Sequence, residues 1–241
     1  MAQRFGKPHH HYELTDSTNE RARELALAGA PSGTIVTAAE QSAGRGRQGR
    51  VWTAPAGQAL LYSAILRDLD TRHALLPIAV PIAVCEACEA VGGGQISCRI
   101  KWPNDIWLSE HKLAGILIEA RPPDWAVIGV GVNVSIPEQE FPADLRWPAT
   151  SIGQGVKIGK VRDALNAALG RWVEAPADRV IAAFSERDAL RGRSITWQGG
   201  PDQLDRSGMA AGIDERGNLI VESRAGEQVA LGSGEVSLRL E

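Results

Sequence analysis

The chain has 241 residues, of which 44% are hydrophobic and 23% charged, with 26 Lys and Arg against 29 Asp and Glu for a formal net charge of −3. This composition can bury the core of one ordinary domain plus a small one; it disfavours disorder, collagen and coiled coil, and the near-neutral charge argues against bulk nucleic-acid affinity. No run approaches the roughly 18 consecutive apolar residues of a membrane span, the N-terminal stretch lacks the apolar core of a signal peptide, and three cysteines make no disulfide framework, so the expectation is a cytoplasmic protein with no membrane partner.

Along residues 12–132, apolar runs of strand length alternate with helical patterns, which predicts a mixed α/β or α+β fold. The three consecutive histidines His9-His10-His11 point to different sides of an extended chain and read as surface residues leading into the first strand. Ser17-Thr18-Asn19-Glu20 starts a helix, with Ser17 as cap, Glu20 reaching back, and Ala22, Leu25 and Ala26 as the apolar face; Gly29-Ala30-Pro31 ends it. Strands at 34–39 and 59–67 flank a coreless loop, 40–52. Residues 75–91 are apolar nearly all round and predict a buried helix started or bent by Pro77 and Pro81. Strands follow at 96–102, 106–108, 112–121 and 125–134, with Ser109-Glu110-His111 as a hairpin turn. A polar, Pro-containing stretch at 137–148 reads as a long surface loop, a kind that is often functional. Helices fit 161–173 and 177–190, the second after Pro176. From Arg191 onward, short alternating strands with Gly-rich turns such as Gly232-Ser233-Gly234 suit a small β-barrel, giving two domains at 1–190 and 191–241.

The loop Gly44-Arg45-Gly46-Arg47-Gln48-Gly49-Arg50 holds three glycines and three arginines in seven positions. Glycine lets a backbone approach a ligand, and guanidinium groups are fixed cations suited to carboxylates and phosphates. A solvated basic loop and an arginine-rich nucleic-acid contact are the competing readings. The loop has neither the ending of a P-loop nor the setting of a dinucleotide fingerprint, which favours an anionic small molecule. Lysine is scarce, five against twenty-one arginines, yet two lysines fall in Lys101-Trp102-Pro103-Asn104-Asp105 and Lys112-Leu113-Ala114-Gly115-Ile116-Leu117. A lysine kept where arginine is the usual cation suggests a need for a compact ammonium, although either segment alone could be a turn with a solvated Lys. Gly129-Val130-Gly131-Val132-Asn133 reads as a buried strand with two glycines on one face, placed for close approach of a ligand or for tight packing. Cys85 and Cys88 are spaced C-x2-C without a second pair and read as core, so no metal site is expected. No Ser/His/Asp or Cys/His arrangement supports a side-chain nucleophile.

On five motifs in order, Asp16-Ser17-Thr18-Asn19, the Gly44–Arg50 loop with Trp52, Lys101–Asp105, Lys112–Leu117 and Gly129–Asn133, with a weaker closing match at Gly234-Glu235-Val236-Ser237-Leu238-Arg239, the sequence resembles the biotin protein ligase family over almost its whole length. The resemblance implies a mixed β-sheet with helices on one face, of the kind in class II aminoacyl-tRNA synthetases, followed by an SH3-like barrel. It also implies a two-step reaction: biotin and ATP with Mg2+ give biotinyl-5'-AMP and pyrophosphate, and a lysine of a biotin carboxyl carrier protein then takes the biotin. A carboxylate nucleophile is ionised at neutral pH, so the obstacle is repulsion from the triphosphate, which cations relieve.

Carried over position by position, Ser17, Thr18 and Gln41 resemble the residues that hold the ureido head of biotin, with Asn19 and Gly115 beside them. Gly44, Arg45, Gly46 and Arg47 resemble the loop that orders over the ligand, and Trp52 the aromatic near adenine. Lys112 matches the lysine that meets the biotin carboxylate and α-phosphate, while Arg47, Arg50, Lys101, Asn104, Asp105, Gly129, Gly131 and Asn133 match the nucleotide side. Asp105 is the candidate for orienting or deprotonating the acceptor lysine. Gln48 departs from the arginine common at its position. The first motif begins at Asp16, so the expectation is a monofunctional ligase with no nucleic-acid partner, monomer or homodimer. A lipoate ligase, a nucleic-acid-binding module and a non-catalytic biotin binder are the alternatives. Lipoate lacks the ureido group that Ser17, Thr18 and Gln41 would recognise.

Overall fold

The computed structural model describes residues 3–143, 145, 147–198, 205–223, 226–233 and 237–240; Gly234-Glu235-Val236 of the closing motif and Gly234 of the preceding turn lie outside them. Seven strands, β1 (His9–Thr15), β2 (Ile35–Gln41), β3 (Ala59–Arg67), β4 (Cys98–Lys101), β5 (Asp105–Leu108), β6 (His111–Arg121) and β7 (Trp125–Asn133), form one sheet in the order β1-β2-β3-β7-β6-β5-β4. The β1–β2 pair is parallel and every other pair antiparallel. Five further strands, β8 (Ser194–Gln198), β9 (Asp205–Ile213), β10 (Leu219–Glu222), β11 (Gln228–Leu231) and β12 (Ser237–Leu240), make an antiparallel sheet in the order β11-β10-β9-β8-β12. The fold is therefore α+β with a C-terminal antiparallel sheet.

Strand β3, ALLYSAILR, is buried along nearly its whole length, as a strand covered on both faces must be. Its residues Leu60, Tyr62, Ala64 and Leu66 join the main core with helices α2 (Leu76–Val91), α3 (Ile158–Trp172) and α4 (Ala177–Arg187). The alternate residues face the other way, where helix α1 (Thr18–Leu27) packs Ala22 and Ala26 on Val36, Ile65 and Val127. Among the described residues, three helices thus cover one face, while α1 covers part of the other and Ile136 and Phe141 pack on Ala38, Ala59 and Leu61 of that same face, leaving room there for a site. Residues Thr71–Val91 are long and apolar enough to cross a membrane by length and composition, but 67% of that window is buried inside the fold, where α2 is the central core helix. The three cysteines are all buried and unbridged.

Several boundaries differ from expectation for local reasons. His9, His10 and His11 already belong to β1, and both His9 and His11 reach Thr37 Oγ1 of the neighbouring strand, at 2.8 and 2.9 Å. The capping box does not form: Ser17 occupies the N-cap position without a side-chain cap bond, and Glu20 turns to Arg23 and Arg45 instead. Strand β4 stops at Lys101 because Trp102 turns inward, fully buried, with its indole N–H donating to Gly217 O at 3.0 Å and so tying the C-terminal sheet to the larger one. Helix α4 stops at Arg187, three residues early. Ala189 N–H donates to Ile100 O at 2.9 Å, and the Asp188 carboxylate accepts from Leu190 N–H at 2.8 Å, which draws this segment onto the edge of β4.

Candidate active site

The site lies on the sheet face shared with α1, and its floor is built by register. Strand β7 pairs Gly131 with Gly115 and Gly129 with Leu117 of β6, and opposes the same glycines to Leu61 and Ser63 of β3. The glycines are there because large groups sit directly on the backbone. A Cβ on Gly131 would lie 2.5 Å from the Trp52 ring, one on Gly115 2.9 Å from the same ring, and one on Gly129 2.0 Å from Asn19 Oδ1. Of the sequence-predicted site residues, Ser17, Thr18, Asn19, Gln41, Arg45, Gly46, Arg47, Arg50, Trp52, Asn104, Asp105, Lys112, Gly115, Gly129 and Gly131 line one cavity of about 110 Å³. Gly44, Lys101 and Asn133 stand just outside it.

Those three have definite work. Gly44 begins the loop where a Cβ would strike Trp52 O at 2.3 Å, and its carbonyl accepts from Trp52 N–H at 2.9 Å. Lys101 is buried behind Asp105, its ammonium 4.0 Å from that carboxylate and 5.1 Å from the ring centre of Trp147, which in turn packs on Trp107 at 5.4 Å. Asn133 uses its amide to donate to Thr150 O at 3.0 Å and Lys112 O at 3.4 Å, clipping the segment after the 137–148 loop to the start of β6.

The arginine loop folds as a small hairpin rather than an irregular stretch: Arg45 pairs with Val51, and Gly46 N–H donates to Arg50 O at 2.8 Å. Its turn puts Gln48 at φ 54°, the left-handed region, where its side chain accepts from Arg50. Two arginines fasten the hairpin to the body. Arg45 lies 3.2 Å from Glu20 and 3.1 Å from Glu119; hydrogen bonding from Arg23, helped by the Arg45 charge, holds the Glu20 carboxyl below its ordinary range. Arg47 donates to Asn104 Oδ1 at 3.3 Å and to the carbonyl of Ser233 in the C-terminal part of the chain. Burial pushes the Arg47 guanidinium below its usual value, partly offset by Asp105, yet an arginine so far from neutral pH stays charged.

Two chemically different ends result. At one, Lys112 Nζ lies 2.7 Å from Asp105 Oδ1 and 5.6 Å from the ring centre of Trp52. The Lys112 backbone is held on both sides, its N–H by Pro148 O at 2.7 Å and its carbonyl by Thr150 N–H at 3.0 Å. At the other end, Gln41 Oε1 accepts from Thr18 N–H at 2.7 Å and lies 3.1 Å from Thr18 Oγ1. Gly129, matched on sequence to the nucleotide side, lies at this second end beneath Asn19. Between the ends, Trp52 keeps its indole N–H buried with no hydrogen-bond partner among the described residues. Sequence reasoning missed Ser63, Glu119, Trp147 and Ser233. A lone Ser in the apolar run ALLYSAILR was a usable signal for Ser63; the others are distant in sequence from every motif they touch.

A cavity with hydrogen-bonding groups at one end, an ammonium at the other and an arginine hairpin across it suits a small acid joined to a phosphorylated partner. Residues 12–133, half of the chain, match the family described as "Biotin/lipoate A/B protein ligase family", and the chain belongs to it. Residues 192–239 match "Biotin protein ligase C terminal domain", which marks the biotin protein ligase branch of that family. The chain is 35% identical to the biotin–[acetyl-CoA-carboxylase] ligase of Paracoccus denitrificans, with 89% of this chain and 94% of that one covered. It is 34% identical to the bifunctional ligase/repressor BirA of Bacillus spizizenii, covering 89% of this chain and 69% of that one. Among solved structures, the biotin protein ligase from Aquifex aeolicus in complex with biotin and ATP superposes with a TM-score of 0.79 at 27% identity, over 98% of this chain and all of that one.

Proposed function

We propose that the chain is a biotin protein ligase that converts biotin and MgATP to biotinyl-5'-AMP and pyrophosphate, then transfers biotin to a lysine of a biotin carboxyl carrier protein. The observation that carries this reading is the pairing, within one cavity of a biotin/lipoate ligase family member, of the Lys112 ammonium with a hydrogen-bonding end at Thr18 and Gln41. In the first step a biotin carboxylate oxygen attacks the α-phosphorus and the bond to pyrophosphate breaks. Lys112 and Arg47 offset the negative charge where the two anions meet. In the second, the acceptor amine attacks the acyl carbon, AMP departs and the amine loses a proton. The hairpin bearing Arg45 and Arg47 covers the mixed anhydride against water. Arg50, Lys101, Asn104, Gly131 and Asn133 belong to the nucleotide side, Lys101 and Asn133 by supporting Asp105 and Lys112. Among the described residues lining the cavity Asp105 is the only carboxylate, and no group of three His, Cys, Asp or Glu side chains could hold a metal. That fits a Mg2+ ion carried in on the nucleotide with mostly water ligands; the ion supplies charge neutralisation on the phosphates. The catalytic unit spans 1–190 and the C-terminal unit, 191–241, an SH3-like barrel in this reading, contributes the Ser233 carbonyl to the hairpin.

ATP–pyrophosphate exchange run with biotin, with lipoate and with no acid tests the assignment. Exchange is expected with biotin, and with lipoate at least about a hundredfold slower, because polar groups built for a ureido head are left unpaired by a dithiolane. Exchange with lipoate instead would overturn it. Asp105 is buried against Lys112, with Lys101 behind it. Asp105→Asn is expected to slow transfer from supplied biotinyl-5'-AMP to the carrier by about tenfold or more, within the range of positioned acid–base groups. A second-step rate that does not change would remove Asp105 from handling the acceptor.

A further inference from the structure

Behind the Asp105–Lys112 pair a second ammonium is buried. Lys101 stands opposite Asp105 in the β4–β5 pair, and Trp107 stands opposite Lys112 in the β5–β6 pair, so strand register gathers the four residues. Alternation along β5 puts Asp105 and Trp107 on one face. The Lys101 side chain is 7% exposed and its Nζ lies 4.0 Å from Asp105 Oδ2, while Lys112 Nζ lies 2.7 Å from Oδ1. One carboxylate therefore faces two ammoniums. Opposed by Lys112 alone, Asp105 would offset most of the charge that Lys112 presents to the substrates. Lys101, on the other oxygen, leaves the group a surplus positive charge.

An ammonium held out of water needs further partners. The ring centre of Trp107 is 5.8 Å from Lys101 Nζ and that of Trp147 is 5.1 Å away, both within reach of a cation–π attraction. The two rings pack on each other at 5.4 Å and 54°. Trp107 is fixed in the core, whereas Trp147 is half-buried and arrives on a separate segment. That segment docks by pairing Ala149 with Lys112: the Lys112 N–H donates to Pro148 O at 2.7 Å and Thr150 N–H donates to Lys112 O at 3.0 Å. The segment thus grips the Lys112 backbone and, one residue before Pro148, lays a ring on Lys101.

We infer that Lys101 is a positioning residue whose ammonium, held between Asp105 and the Trp147 ring, ties docking of segment 147–150 to the charge that Lys112 offers the reacting anions. With the segment docked, Lys101 stays beside Asp105 and the Lys112 charge serves the substrates. With it undocked, Lys101 loses its nearer ring, turns toward water, and Asp105 offsets Lys112. The inference rests on the ligase reading above and adds to it a coupling between that segment and the reacting centre.

The test places mono-, di- and trifluorotryptophan at position 147 of the full-length protein, which keeps the ring's shape while draining its negative face. Single-turnover formation of biotinyl-5'-AMP at saturating biotin and MgATP is expected to slow stepwise, by about fivefold across the series. In Lys101→Met, which keeps the stem and removes the charge, the series should be flat. Lys101→Met itself is expected to be about tenfold slower than wild type. Combined with Trp147→Leu, it should fall no more than about twofold below the slower single variant, the signature of two residues acting as one unit. A role confined to packing predicts a flat series in the Lys101 protein and losses that multiply, and either result overturns the inference. A Lys101→Met rate within about twofold of wild type overturns it as well. If Lys101→Met does not fold, Lys101→Gln takes its place in both comparisons. A wild-type protein that forms no biotinyl-5'-AMP sinks the parent reading, while one that forms it at a rate indifferent to fluorination sinks this inference alone.

Discussion

Lys112→Ala is expected to slow biotin-dependent pyrophosphate exchange by on the order of 10² to 10³, the usual cost of deleting one preorganised group aimed at developing charge in a shielded site. The structure argues for the upper part of that range. Lys112 Nζ sits 2.7 Å from Asp105, whose side chain is 8% exposed, and its backbone is pinned by Pro148 and Thr150, so the ammonium arrives already oriented. Removing it deletes an attraction for two anionic substrates and also leaves the Asp105 carboxylate facing them, with Lys101 at 4.0 Å the remaining counter-charge. Lys112→Arg should recover little, because a broad planar guanidinium does not reproduce a compact point charge against Asp105 and the Trp52 ring. Single-turnover adenylate formation at saturating biotin, with the thermal midpoint checked in parallel, measures this. A loss under about threefold, far below what such groups supply, would dismiss Lys112 as the central electrostatic group.

Gly129→Ala is expected to cost about 3 kcal/mol of folding stability, combining overpacking with a broken buried hydrogen bond. The added methyl would lie 2.0 Å from Asn19 Oδ1 and 2.7 Å from its Cγ. Asn19 cannot step aside, because it is 5% exposed and bonded to Ser63, Leu117 and Glu119. In a chain of this length that cost corresponds to a fall in melting temperature of about 6 to 12 °C. Displacing Asn19 also disturbs Ser63 and Thr18, so the KM for biotin should rise more than kcat falls. A melting temperature within about 2 °C of wild type, less than 1 kcal/mol, would show that the α1–β7 contact yields easily.

Much of this protein is determined by its sequence alone. The apolar, strand-length runs of β2, β3, β6 and β7, the all-apolar α2 and the Gly/Arg, Lys-bearing and Gly-x-Gly segments are local patterns that can be read without the rest of the chain. Hence the strands could be named from the chain, and through the family resemblance those motifs carry, the α+β class and fifteen residues of one cavity. What only the tertiary structure decided are relations between distant segments. Ser17 and Glu20 satisfy a capping pattern, yet the Glu20 carboxylate turns to Arg23 and to Arg45, which only the folded hairpin brings beside it. Gly129 and Gly131 are indistinguishable in the sequence, but the register across β7 sets one under Asn19 and the other under Trp52. For Asn133 and Lys101, read from the resemblance as nucleotide-side residues, only the fold shows which backbone, carboxylate and aromatic groups their polar atoms meet. The hydrogen-bonded residues Glu119, Asn19, Ser63, Thr18 and Gln41 come from four separated segments, and no local pattern encodes that meeting. Only the packing of α1 against β2, β3 and β6 brings their donors and acceptors within reach of one another.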